Sequence, residues 1–346
     1  MTIAFYCPHS LEPWTSRNLK SGIGGSEAAV IHLSREFATL GHSVRIYNSV
    51  KAPETLEGVE WLPADTPIDP VDLLIVWRYP AAIQEELKGV QATKKVLWMH
   101  DMTPEKELLP YMYLYEQIVV QSAFHRAFYP AIPDERISIQ PSGIDLGLVE
   151  GTFKRDPWKI VYCSNYDRGL LVLLENWTQL KLSFPRLQLY VLYGWNTMDA
   201  LAARGDARVQ AEYKHFKQYV EDLFDQKGIH HLGRRSHKEL LRHLEEAQVL
   251  AYPCIYPETL CLTVLQAQAA GAVPVVVPSG ALAETVKSGF ITKPAVSQQE
   301  YLELLAHALQ NPDEVAAERE KGAKLMREQY GWPTIAGQWL SLVESL

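Results

Sequence analysis

The sequence predicts an α/β protein built from two doubly wound halves, and three observations carry that reading. Short β-branched or apolar runs alternate with helical patterns along the whole chain, the pattern of parallel sheets joined by right-handed crossovers. The alternation stops in a polar stretch at Gly151–Trp158, which contains Pro157, and then restarts. The length of 346 residues suits two domains, each of roughly 150–180 residues. The expected division is residues 1–150, residues 151–328 and a tail at 329–346.

Each element can be justified in order. Thr2–Cys7 is the first strand, followed by a polar, glycine-containing loop to Gly25. Ala28, Ala29, Ile31, His32, Leu33 and Phe37 then suit a helix closed by Gly41. Ser43–Tyr47 reads as the second strand. Val71–Trp77 is apolar apart from Asp72, as a strand buried on both faces requires. Lys95–Met99 and Gln117–Gln121 look alike. In the second half, strands are expected at Lys159–Cys163, Leu187–Tyr193, His230–Leu232, Val249–Pro253 and Pro274–Val277. Helices are expected at Leu170–Leu182, His237–Glu246 and Thr259–Ala270. In the tail, Trp332, Ile335, Trp339, Leu340 and Val343 fall at amphipathic spacing, so a terminal helix must dock on one of the halves.

Composition excludes several classes. The chain carries 33 basic and 41 acidic residues, a net charge of −8. Broad nucleic-acid binding usually needs a basic surface. Four scattered cysteines without a CxxC pair read as reduced, mostly buried thiols of a cytosolic protein, with no metal site. The N-terminus has neither the basic start nor the apolar run of a signal peptide. No 18 consecutive apolar residues occur, so no span is expected. Peripheral membrane contact stays open.

Four constellations stand where a doubly wound fold binds ligands. The first is Gly22-Ile23-Gly24-Gly25-Ser26-Glu27, leading into the first helix. Glycines there let backbone N–H groups approach an anion; equally, the loop is a capped helix start. It stands too far beyond the first strand for a dinucleotide fingerprint. The second runs from Tyr256 to Pro274. Glu258 precedes a helix whose small residues allow close packing, and whose first N–H groups, around Leu262 and Thr263, form a pyrophosphate site. Glu258 can accept from sugar hydroxyls, or merely favour the helix dipole. The third, Ser164-Asn165-Tyr166-Asp167-Arg168-Gly169, follows a strand. Arg168 suits bidentate pairing with a diphosphate, or an ion pair with Asp167. The fourth ends Leu97-Trp98-Met99-His100-Asp101, where His100 is either a donor to substrate or a structural histidine. Arg234 and Arg235 end a later strand in a basic pair. His9, Trp14 and Arg17 sit in the first loop as candidate acceptor-pocket residues.

Taken together, these residues resemble the family-4 group of retaining, nucleotide-sugar-dependent glycosyltransferases with the GT-B fold. The likeness covers nearly the whole chain. It runs through Gly22–Glu27, Leu40–Val44, His100-Asp101, Pro141-Ser142-Gly143-Ile144-Asp145, Asp167–Leu170, His231–Arg234, Glu258–Pro274, Gly280–Thr285 and the Trp332 tail. The resemblance implies two Rossmann-like domains facing a central cleft, acceptor on the first and donor on the second, with the last helix crossing back to the first. It implies His100, Arg168 and Glu258 as catalytic residues. For donor binding it implies Gly24, Gly25, Ser164, Asn165, Arg234, Thr259, Leu260, Cys261, Leu262, Thr263 and Gln266, with Gly24 and Gly25 approaching the donor phosphates or the acceptor. The donor is a nucleotide-diphosphate sugar acting as co-substrate, with no cofactor or metal, because amides and a cation neutralise the leaving diphosphate. The acceptor is a glycan or glycolipid hydroxyl. Three departures stand out. Gln266 replaces the second glutamate of E-x7-E, Ser164 and Asn165 occupy the region of a usual arginine, and Ser142 replaces an asparagine. Gln266 keeps a lapsed sugar-nucleotide or glycan-binding protein in play, and the shared two-domain shape does the same for a non-hydrolysing nucleotide-sugar epimerase.

Overall fold

The computed structural model describes residues 1–346. Two compact units form. One comprises Met1–Leu19, Ile23–Asp145 and Gln329–Leu346, the other Lys20–Gly22 and Leu146–Glu328.

The first unit holds eight strands: β1 (Thr2–Tyr6), β2 (Ser43–Asn48), β3 (Glu54–Leu56), β4 (Val59–Pro63), β5 (Val71–Trp77), β6 (Ala92–Trp98), β7 (Gln117–Val120) and β8 (Ile137–Ile139). Their order is β3-β4-β2-β1-β5-β6-β7-β8. All neighbours are parallel except β3 and β4. The chain winds outward from β1 through β2, then crosses to β5 on the other side. Both faces of the central strands are covered, so Phe5, Ile46, Leu74, Ile75 and Val96 are buried. The helix expected after the first loop spans Gly25–Thr39. It ends as expected at Gly41, whose φ of +86° suits a residue without a Cβ.

The terminal helix Trp332–Ser345 belongs to this unit. Trp339 packs against Trp98 at 5.0 Å between ring centroids, and Trp332 stacks on His32 at 5.5 Å. Ile144 exchanges backbone hydrogen bonds with Tyr330 and Trp332. A side chain at Gly143 would lie 2.7 Å from the Trp332 ring, so the motif around Gly143 is the seat of the tail. No helix is long and apolar enough to cross a membrane.

The second unit holds β9 (Asp156–Cys163), β10 (Gln188–Leu192), β11 (Ile229–Gly233), β12 (Ala247–Tyr252), β13 (Val273–Val276) and β14 (Phe290–Ile291). Their order is β11-β10-β9-β12-β13-β14, all parallel. The single helix expected over Leu170–Leu182 is two, Leu170–Glu175 and Trp177–Ser183, broken at Asn176. The helix expected from Thr259 begins instead at Leu262 and runs to Ala270. Glu258 pairs with Gly280 in an isolated bridge. All four cysteines are buried and free.

Candidate active site

In the second sheet the winding reverses between β9 and β12, and ligands of such folds bind beyond the carboxyl ends at that point. The loop after β9 carries Ser164–Gly169, and the loop after β12 carries Pro253–Cys261. The loops touch. Gly169 has φ +93°, and a Cβ there would meet the Pro253 carbonyl oxygen at 2.1 Å. This brings Arg168 to Glu258, with Nη1 donating to Oε1 at 2.7 Å. The guanidinium lies 4.3 Å over the Tyr256 ring. Arg168 thus pairs with Glu258 rather than Asp167. Burial opposes its charge, but the Glu258 carboxylate outweighs that and holds the guanidinium firmly protonated. Tyr252 donates to the same Oε1 at 2.5 Å, and the Ser164 hydroxyl lies 3.0 Å from the Tyr252 oxygen.

Cys261, the N-cap of the helix that starts at Leu262, lies close enough to Glu258 and Arg168 for both charges to act on its thiol. The first N–H groups of that helix have no intrahelical acceptor, and its first turn has no acidic residue. Cys261 is the N-cap and is buried, and Thr263 Oγ1 ties the turn to the Cys163 carbonyl at 3.2 Å. Thr259, at a bend, and Leu260 lie between Glu258 and the helix. Gln266 is buried. Gln268, two residues on, spends its amide on Val264, Thr285, Lys287 and Ser288; none of those bonds involves Gln266. The Asn165 carbonyl accepts from Tyr162 at 2.6 Å, while its Oδ1 is buried without a partner. Arg234 follows β11 at the sheet edge, against Gly194.

The first sheet reverses between β1 and β5. Here the first turn of the helix that starts at Gly24 and Gly25 carries its own acid, Glu27. A Cβ on Gly24 would lie 2.5 Å from Glu27 Oε2, and Ser26 donates to that oxygen at 2.9 Å. Arg78, just beyond β5, has the left-handed φ of +63°. It reaches Asp101 at 2.5 Å and Ser26 at 3.3 Å. The His100 ring packs on Trp98 at 4.6 Å and Trp77 at 6.1 Å. Burial, with Arg78 nearby, pushes its pKa well down, so the imidazole is neutral at pH 7. His125 steadies the adjoining backbone. Its Nε2 donates to the Asp101 carbonyl at 3.0 Å, while Nδ1 accepts from Gln121 N–H at 3.3 Å. Burial lowers the His125 pKa to about 4.

The first-loop residues separate. His9 is exposed and meets the Tyr79 ring at 4.5 Å. Trp14, expected to line an acceptor pocket, packs its ring in the core. It is 1% exposed, between Trp61 and Trp77, because its carbonyl is fixed by Asn48 Nδ2 at 2.8 Å. It contributes one wall of a groove of about 450 Å³ with Asn18, Lys51 and Glu54. Arg17 is exposed and pairs with Glu54 at 2.7 Å.

Residues 149–326, just over half the chain, match the family described as glycosyl transferases group 1. The chain belongs to that family. No curated protein sequence matches it. Among solved structures, sucrose-phosphate synthase from Thermosynechococcus elongatus is similar over 100% of this chain and 99% of its own, at 15% identity and TM-score 0.74. HepE of Anabaena, in complex with UDP and glucose, is similar over 100% of both chains at 14% identity and TM-score 0.72. Trehalose-6-phosphate synthase OtsA covers 100% and 99% at 10% identity and TM-score 0.77. At these identities the likeness establishes the fold, which is GT-B.

For this glycosyltransferase, the sequence reading missed Tyr252 and Arg78. Tyr252 looks like one more core aromatic of a buried strand. What sets it apart is its bond to Ser164, 88 positions away in the chain. Arg78 closes an apolar run just before Pro80, and only its backbone angle marks it. The second-unit group can neutralise a diphosphate with Arg168 and the Leu262 helix start, and can accept hydroxyl protons on Glu258.

Proposed function

We propose that this glycosyltransferase moves a sugar, with retained anomeric configuration and without a metal, from a nucleotide-diphosphate sugar to a hydroxyl of a glycan or glycolipid. The observation that carries the reading is the meeting of Arg168 and Glu258 near the N-cap of a helix whose first turn holds no acidic residue. HepE was solved with UDP and glucose, which supports a nucleotide sugar as donor.

In this reading the diphosphate lies against the first amides of Leu262 and Thr263, and Arg168 turns toward it as the donor arrives. The sugar hydroxyls bond Glu258, and the Gln266 amide accepts from the ribose. Ser164, Asn165, Thr259, Leu260 and Cys261 shape the donor bed, with Arg234 at its margin. The anomeric carbon–oxygen bond to the diphosphate breaks. The acceptor hydroxyl bonds that carbon from the same face, and its proton passes to the departing diphosphate oxygen. Neutral His100 donates a hydrogen bond to a substrate oxygen. His9, Arg17, Gly24 and Gly25 contact the acceptor, beside the groove walled by Trp14. Electrostatic stabilisation of the leaving group is the largest contribution, since no side chain here is an evident nucleophile.

The test is turnover of UDP-, GDP- and ADP-glucose with glycan and glycolipid acceptors, with and without EDTA, the product anomer being read by NMR. An α-configured product formed equally in EDTA is expected. An inverted product, a trapped glycosyl-enzyme adduct or an EDTA-abolished reaction would contradict it. Epimerised donor formed without acceptor would replace it with the epimerase reading. Gln266 favours one further reading, a lapsed transferase, which would bind the donor and turn over none.

A further inference from the structure

We propose that Tyr252 is a positioning residue for the sugar half of the donor, fixing which oxygen of Glu258 is presented to the sugar hydroxyls. The proposal rests on the donor site argued above and deepens it. Tyr252 ends β12 and is 1% exposed. Its hydroxyl lies between Ser164 Oγ at 3.0 Å and Glu258 Oε1 at 2.5 Å. A carboxylate can only accept, so the chain of bonds has one direction: Ser164 donates to Tyr252, and Tyr252 donates to Glu258. Burial, with the acid beside it, keeps the phenol protonated and able to donate.

Oε1 already receives the Arg168 guanidinium at 2.7 Å. With Tyr252 it has two donors, and Oε2 is the oxygen left to meet a ligand. The backbone is fixed as well. Ala281 N–H donates to the Glu258 carbonyl at 2.7 Å. A Cβ at Gly280 would lie 2.5 Å from that carbonyl oxygen, so the segment cannot easily shift there. When Arg168 turns toward a diphosphate, Tyr252 is the donor that remains on Oε1. The carboxylate therefore keeps its orientation after its ion pair is given up. A tyrosine that merely filled the core would need its hydroxyl satisfied, but would not affect the sugar and the diphosphate differently.

That difference is the test. Calorimetric titrations compare wild type, Tyr252→Phe, Glu258→Gln and the double variant. The probes are UDP, GDP and ADP, each paired with its glucose conjugate, and the pair that the wild type binds is followed. In Tyr252→Phe, affinity for the conjugate is expected to fall by about fivefold or more, the size of one hydrogen bond, with the free diphosphate within about twofold of wild type. In the double variant the loss should be less than the product of the single losses. Equal weakening of conjugate and diphosphate would overturn the proposal, as would fully independent effects. Should Tyr252→Phe not fold, Ser164→Ala, which removes the bond into the phenol, should show the same selective loss in smaller degree; no selectivity would again overturn it. A wild type that bound neither member of any pair would instead refute the donor site itself, and the positioning role with it.

Discussion

The two points where the sheets reverse are built alike and charged differently. Each has a loop after the first strand, a loop after the strand across the reversal, and a helix start nearby. At the first, the helix first turn carries Glu27, whose carboxylate lies beside Gly24, and Arg78 is spent on Asp101 and Ser26. At the second, the helix first turn holds no acid, and Arg168 rests on Glu258 and Tyr256 near the Cys261 N-cap. A helix N-terminus attracts anions only while it is not already answered by a carboxylate. The same architecture is thus closed to a phosphate in the first unit and open to one in the second, which assigns the diphosphate to the second unit in the proposed reaction.

Several changes would break or sharpen that contrast. The largest effect should come from Arg168→Ala or Glu258→Ala. Each is expected to lower kcat/KM by about 10²-fold or more, the usual loss for one preorganised electrostatic group, whereas Glu27→Gln should cost far less. Steady-state kinetics decide; wild-type rates in either second-unit variant would remove the site.

Next comes the contact that joins the loops after β9 and β12. Gly169→Ala meets the Pro253 carbonyl and a left-handed φ together, and should destabilise by at least about 2 kcal/mol. Gly151→Ala, at φ +67° with open space around it, should cost only about 1 kcal/mol. Denaturant titration compares them.

The first unit carries an acid sensitivity. His125 has a folded pKa of about 4, below the unfolded value of about 6.5. The unfolded chain therefore takes up the proton first as pH falls from 6.5 toward 4, and stability falls with it. The expected loss between pH 7 and pH 5 is about 2 kcal/mol. Replacing His125 with leucine should flatten that limb even if the variant is less stable at pH 7. Smallest is Arg17→Ala. Arg17 is largely exposed in its pair with Glu54, so thermal stability should change by about 0.5 kcal/mol or less; any larger change would have to appear in acceptor KM.

Much of this was legible in the sequence where physics is local. A short, mostly apolar run such as Val71–Trp77, rich in β-branched residues, suits a strand covered on both faces, and Gly41 suits the end of a helix. The β3–β4 hairpin was also legible but went unread. Glu57 and Gly58, both at positive φ, form the kind of two-residue turn that such dipeptides favour between short strands. The site was legible as far as its loops. Strand ends place Arg168 and Glu258 on the ligand side, but their pairing depends on Gly169 letting two distant loops touch. The three-residue delay of the helix after Glu258 follows from the bridge to Gly280, which no local pattern encodes. Trp14 looked like a loop aromatic because its burial is set by Asn48 and by Trp61 and Trp77 from later strands.

The most direct test of the central claim is a thermal-shift titration with UDP, GDP and ADP, with and without EDTA, on wild type, Arg168→Ala and Glu27→Gln. At 100 times its dissociation constant a bound nucleotide stabilises by about 2.7 kcal/mol. The account requires one nucleotide to stabilise wild type and Glu27→Gln alike, unaffected by EDTA, and to lose most of that effect in Arg168→Ala. A full shift in Arg168→Ala, or a shift lost in Glu27→Gln, would contradict it.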